Sequence, residues 1–147
     1  MNHTLEVCFP SLAASGYQLT SPRTRVYNCI AWAANDQSNW WWPDAMGNYF
    51  WPNVTRSETV AAFIEAYSTV GYSPCNNGDL EAGIEKIVIF VLNGSPTHAA
   101  RQLPDGKWTS KCGNLEDISH TLLAFENSEY GFPAQFLARS APHDSIP

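Results

Sequence analysis

Two residues in this chain have the types and surroundings that nucleophilic acyl chemistry requires, Cys29 and His98. A cysteine attacks as its thiolate, so it needs a lowered pKa or a base within reach. Cys29 opens the apolar stretch CIAWAAND, where the first turn of a helix would put partial positive charge beside the sulfur. The base in such chemistry is a histidine far away in sequence and near in space. Of His3, His98, His120 and His143, the first and last stand close to the chain ends. His98 is followed by Ala99 and Ala100, small neighbours that leave an imidazole room to face a cleft. The plain alternatives are a buried structural cysteine and a hydrogen-bonded core histidine.

The elements that must position this pair can be read along the chain. Residues 1–26 read as an irregular arm, broken by Pro10, Gly16 and Pro22. Ala31, Ala33 and Ala34 favour a short helix from Cys29 to about Asp36. Thr55 and Glu58 have capping-box spacing, and Val60, Phe63, Ile64 and Tyr67 form one apolar helical face ending by Gly71. EKIVIFVL is β-branched and continuous, as a strand buried on both faces would be. THAARQLPDGKWTSK reads as a hairpin turning at Pro104-Asp105-Gly106, Gly113 to Leu123 as a short helix, and AQFLAR as a last strand. Helices followed by antiparallel strands predict a single α+β domain over residues 1–147.

The segments around both residues carry a resemblance. YNCIAW and HAARQLPDGKWTS resemble the nucleophile and base motifs of the NlpC-like branch of the papain-like cysteine hydrolases. The resemblance implies a papain-like fold with the Cys29 helix packed on an antiparallel sheet that bears His98. It implies Cys29 as nucleophile and His98 as base, and it carries the third, orienting position to Ser110, where that family usually has histidine. Asn28, Ile30 and Ala31 replace the acidic, serine and glycine residues that surround the family's nucleophile. The set YNCIAWA, WWxP, THAARQL, WTSKxG and ISH is also similar to an uncharacterised microbial domain family.

NWWWPDAMGNYFWP, residues 39–52, holds six aromatics with no regular period. Some of these cap the core, and others wall a substrate groove or form a partner patch. Tyr27, Trp41 and Trp42, which flank the cysteine helix, are the candidate substrate contacts. In the polar segment SKCGNLEDISH, His120 or Asp117 could orient His98 in place of Ser110. The plainer reading is a helix capped at Asn114 with a solvated face. Cys29, His98, Cys112 and His120 form an acceptable zinc ligand set by type, but their spacing does not match a metal site, so neither metal nor cofactor is expected.

A net charge of −6 without a basic cluster argues against nucleic acid. Four scattered cysteines do not make a disulfide framework. The longest apolar run, Ile87–Leu92, is too short to span a bilayer, and the first residues lack the pattern of a secretory signal. The expectation is a cytoplasmic protein or an effector exported without a signal. It would act on a peptide or protein by thiol-dependent hydrolysis or acyl transfer at an amide or ester. A non-catalytic module that grips a partner with its tryptophan loop is the alternative.

Overall fold

The computed structural model describes residues 3–21, 23–112, 115–125 and 128–141. Its elements run α1 (His3–Cys8), α2 (Ser11–Ser15), β1 (Tyr17–Ser21), α3 (Cys29–Ala33), α4 (Val60–Ser68), β2 (Ser73–Cys75), β3 (Ile84–Leu92), β4 (Ser95–Gln102), β5 (Trp108–Lys111), β6 (Asp117–His120) and β7 (Phe132–Ser140). The seven strands make one antiparallel sheet in the order β1-β6-β5-β4-β3-β7-β2.

The apolar run of β3 is central and buried on both faces. Its odd-numbered residues Ile87, Ile89 and Val91, with Ala99 of β4 and Leu137 of β7, lie under α3, α4 and the aromatic loop. Val88 and Phe90, with Ala100, Trp108 and Ile118, face Leu5, Phe9 and Leu12 of the N-terminal segment and Phe125 and Tyr130. Two cores therefore share one sheet, and adjacent residues of a strand belong to different cores.

The β3–β4 hairpin turns at Asn93 (φ 53°) and Gly94 (φ 83°), the pairing that a tight hairpin favours. Gly131, at φ 80°, leads into β7, and a Cβ there would run into the carbonyl oxygen of Val91.

The α+β, papain-like architecture expected from the sequence is overturned. The fold is β-rich: the described residues form one seven-stranded sheet with four short helices, of which α3 has five residues. The reason lies in segments read as irregular or helical that pair at the sheet edges. The N-terminal arm contributes α1, α2 and β1, and β1 pairs with β6. β6 occupies part of the expected Gly113–Leu123 helix, whose first residues, Gly113 and Asn114, lie outside the described residues. Asp117 and His120 hydrogen-bond to the buried side chains of Tyr27 and Ser110 instead of facing solvent. Asn35, at φ 66°, closes α3. α4 begins later than the capping-box spacing indicated, because Thr59 is the residue whose hydroxyl caps it, accepting from Ala62 N.

Candidate functional site

Asn28 fixes the entry to α3. It is extended at φ −109°, and its Oδ1 accepts from Ala31 N at 3.1 Å, so α3 starts at Cys29. The same side chain holds the backbone of Trp41 from both sides, accepting from its N–H at 3.0 Å and donating to its carbonyl at 2.7 Å. One buried amide thus caps the cysteine helix and pins the tryptophan loop.

The sulfur of Cys29 is buried, and burial pushes its thiol up to about 11. The nearby backbone amides of Ala99, Ile30 and Cys29 oppose that shift, and the charge of Lys111 opposes it more weakly. Three amides gathered at one sulfur would stabilise negative charge there. Ala99 stands beyond the β4–β5 ladder, which consists of only Arg101↔Thr109 and Gln102↔Trp108. The strand backbone toward Ala99 is outside that pairing.

His98, the residue before Ala99, points into the other core. Its ring is fully buried, stacked on Tyr130 at 3.9 Å and 10°, and edged by Phe125 at 5.0 Å. His98 Nε2 lies 2.9 Å from Ser110 Oγ, which lies 2.6 Å from His120 Nε2. His120 Nδ1 is 2.7 Å from the carbonyl oxygen of Thr121, so it must carry a proton and donate. The network then has one consistent assignment. Neutral His120 accepts the Ser110 hydroxyl proton at Nε2, and Ser110 Oγ accepts from His98 Nε2–H. His98 Nδ1 is left as a bare lone pair, buried and without a hydrogen-bond partner. Burial, with the nearby His120, holds His98 well below its ordinary pKa, and burial lowers His120 to about 4. Both rings are neutral at pH 7.

The structure therefore brings His98 and Ser110 together and adds His120 to them. Cys29 is not hydrogen-bonded to His98: its sulfur rests on the amide of the next residue, and the two side chains pack in different cores. The side chain of His3 and all of His143 lie outside the described residues.

The other expected contacts have structural partners. Tyr27 donates its hydroxyl to Asp117 Oδ2 at 2.7 Å and stacks on Trp32, and Lys111 lies over its ring at 5.7 Å. Burial and then Asp117 push the Tyr27 phenol up to about 12. Asp117, an alternative to Ser110 as the residue orienting His98, binds Tyr27 on the α3 side of the sheet instead. Tyr27 also lines a shallow cavity of about 360 Å³ with Arg23, Thr24 and Val26. Trp41 is buried, donates Nε1–H to Asp36 at 2.8 Å and stacks on Tyr67, so it belongs to the core. Trp42 is half-buried, edge-on to Phe63. No group of three or more His, Cys, Asp or Glu among the described residues is placed to hold a metal ion.

A cysteine at the start of α3 and a histidine of β4 held through a serine stand in a small β-rich domain with buried polar groups. The chain belongs to the family described as Domain of unknown function (DUF7689), whose model matches residues 18–138. The match agrees with the uncharacterised family seen in the motifs and gives no support to the papain-like resemblance. No curated protein and no solved structure matches the chain.

Proposed function

We propose that the protein performs thiol-dependent acyl chemistry on a peptide or protein, with Cys29 as nucleophile and His98 as base. One observation carries this reading: His98 is locked at Nε2 by Ser110 and His120 while Nδ1, one residue from the amide against Cys29, is buried and unbonded. Leaving such an atom unpaired costs about 1–3 kcal/mol, and an orphan of this kind calls for a functional account.

In the proposed step the sulfur forms a bond to the carbonyl carbon of an amide or ester, and its proton passes to His98 Nδ1. Burial keeps thiol and imidazole neutral in the resting protein, so the thiolate forms only as this transfer occurs. The amides of Cys29, Ile30 and Ala99 are the donors for the developing negative charge. The leaving amine or alcohol takes the proton from His98. Water, or an acceptor amine, then cleaves the thioester with His98 again as base. Ser110 and His120 are positioning residues that hold the ring. Because Cys29 and His98 pack on opposite faces of the sheet, the transfer requires a rearrangement of β4 at His98 and Ala99 that brings Nδ1 to the sulfur.

Acetylation by p-nitrophenyl acetate, mapped by mass spectrometry, tests this reading. An acetyl group on Cys29 that forms at least about tenfold more slowly in His98→Ala is expected. Acetylation confined to the exposed Cys8 and half-buried Cys75, with Cys29 untouched, would refute it.

A second reading, a binding module, is favoured by the loop after α3. Arg56 ties Asp44 Oδ1 at 3.0 Å to the carbonyls of Trp42, Asp44 and Tyr49, and Asp44 also accepts from Asn48 N and Tyr49 N. This clasp presents Met46, Tyr49 and Phe50 to solvent, 83%, 47% and 44% exposed. Rigid exposed aromatics suit recognition of a protein partner. Loss of partner binding in Tyr49→Ala/Phe50→Ala, with Cys29 acetylation unchanged, would separate the two roles.

A further inference from the structure

Lys86 stands in the middle of the sheet, in register with Ala138 of β7, and is only 2% exposed. Alternation along β3 puts it on the face of Val88 and Phe90, opposite Cys29. An ammonium buried there needs polar partners, and three oxygens of the loop between β2 and β3 meet it. Its Nζ lies 3.1 Å from Asn77 O, 3.1 Å from Asn77 Oδ1 and 2.5 Å from Glu81 Oε2. Asn77 Oδ1 also accepts from Asp79 N at 3.0 Å. Gly78 seats the loop: Gln102 Nε2 donates to its carbonyl at 2.7 Å, and a Cβ there would meet Phe136 at 2.7 Å and Trp108 at 3.0 Å. These contacts hold Asn77 against the amine.

An amine, a carboxamide and a carboxylate thus surround one nitrogen. A lysine amine is a nucleophile once it has lost its proton, and the carboxylate beside it can take that proton. The carboxamide carbon is the electrophile, and the Asp79 N–H is a donor for the charge that would develop on Oδ1. Cγ lies one carbonyl bond beyond Oδ1, so it is within about 4.3 Å of Nζ, little more than a near-attack distance. A buried ammonium also carries a desolvation cost that a neutral amide does not.

We propose that Lys86 and Asn77 join in an intramolecular isopeptide bond, with Glu81 as the proton carrier. Glu81 takes a proton from Lys86, and the freed lone pair on Nζ forms a bond to Asn77 Cγ while the carbonyl electron pair moves onto Oδ1. Glu81 then passes its proton to Asn77 Nδ2 and takes a second one from Nζ. The Cγ–Nδ2 bond breaks, the carbonyl re-forms and ammonia leaves. Asn77 is exposed, so ammonia departs directly into solvent, and Glu81, 55% exposed, releases the remaining proton there. The chain consumes no other reagent. The product fastens the loop between β2 and β3 to the sheet, and it is independent of the thiol chemistry proposed for Cys29.

Mass spectrometry of the purified protein tests the bond. The chain should weigh one ammonia less than its sequence, and a tryptic digest should yield a branched peptide that joins Lys86 to Asn77 and is uncut after Lys86. Lys86→Arg keeps a cation beside Glu81 without a primary amine, and Asn77→Ala removes the electrophile. Each should show its full sequence mass. Glu81→Gln retains both reacting groups and should lower the linked fraction at least about tenfold. A linked fraction unchanged in Glu81→Gln would overturn the role of Glu81. Loss of ammonia at Asn77 with trypsin still cutting after Lys86 would mean closure onto the Gly78 amide, and a carboxylate at position 77 would mean hydrolysis. Either of those, or a wild-type chain at its full sequence mass, would overturn the proposal.

Discussion

Lowering the pH should unfold this protein through its buried histidines before its low-pKa carboxylates protonate. His120 is held at about 4 by burial, against about 6.5 for a histidine in the unfolded chain. A base with a depressed folded pKa binds fewer protons in the native state than in the unfolded one, so stability rises with pH across the interval between the two values. The contribution is complete above about pH 6.5 and is lost as pH falls toward 4. Between pH 7.5 and 5, His120 alone should cost about 2 kcal/mol, a sizeable part of the 5–15 kcal/mol typical of a domain. His98, also held well below its ordinary value by burial, acts in the same direction. Asp36 and Asp44 do not confuse this window. Burial opposes the shift at Asp36, but hydrogen bonds from Ser38, Trp41 and Asn39 hold it low, and Asp44 is held low chiefly by the Asn48 amide. Both therefore lose their contribution only below their ordinary value of 3.8. Urea unfolding at half-unit pH steps reads the effect, and His120→Gln should remove about 2 kcal/mol of the difference between pH 7.5 and 5. A wild-type stability flat over that interval, or an unchanged slope in His120→Gln, would refute the neutral-histidine account.

Three substitutions probe the supports of the site. Ser110→Ala leaves His98 Nε2–H and His120 Nε2 facing each other unlinked, and should cost about 2 kcal/mol in denaturant unfolding. Asn28→Ala removes the α3 cap and both hydrogen bonds to the Trp41 backbone, for a loss of about 2–3 kcal/mol and a change in tryptophan emission. Gly131→Ala places a Cβ against the Val91 carbonyl oxygen at a left-handed φ, and should lower the unfolding midpoint by the equivalent of at least about 2 kcal/mol.

How much of this was legible in the sequence depends on how local the determining contact is. The β-branched run of β3 announced a strand buried on both faces, and Pro104-Asp105-Gly106 marked the β4–β5 turn, where Gly106 N bonds Leu103 O. Cys29 at the first position of α3 was equally readable. Asn93-Gly94 carried an unused signal for the β3–β4 hairpin. The edge strands were hidden because their partners are far away: β1 pairs with β6 across about a hundred residues, and Asp117 Oδ2 accepts from Tyr27, 90 positions earlier. Polar residues matched at such range look solvated in a sequence. Trp41 misled for the same reason, since its burial depends on Asn28 and Asp36 accommodating its polar groups. The chemical residues were visible as types, but their division between the two cores was not, since adjacent strand positions differ by only one residue in sequence.

The central claim concerns one atom, His98 Nδ1. Nitrogen-15 NMR of histidine-labelled protein at pH 7 reads its protonation directly, with the resonance assigned by its loss in His98→Gln. The account predicts a neutral ring protonated at Nε2 and bare at Nδ1, whose Nδ1 signal moves when Cys29 is alkylated and does not move when Cys8 alone is. A proton on Nδ1, or a signal indifferent to the state of Cys29, would contradict it.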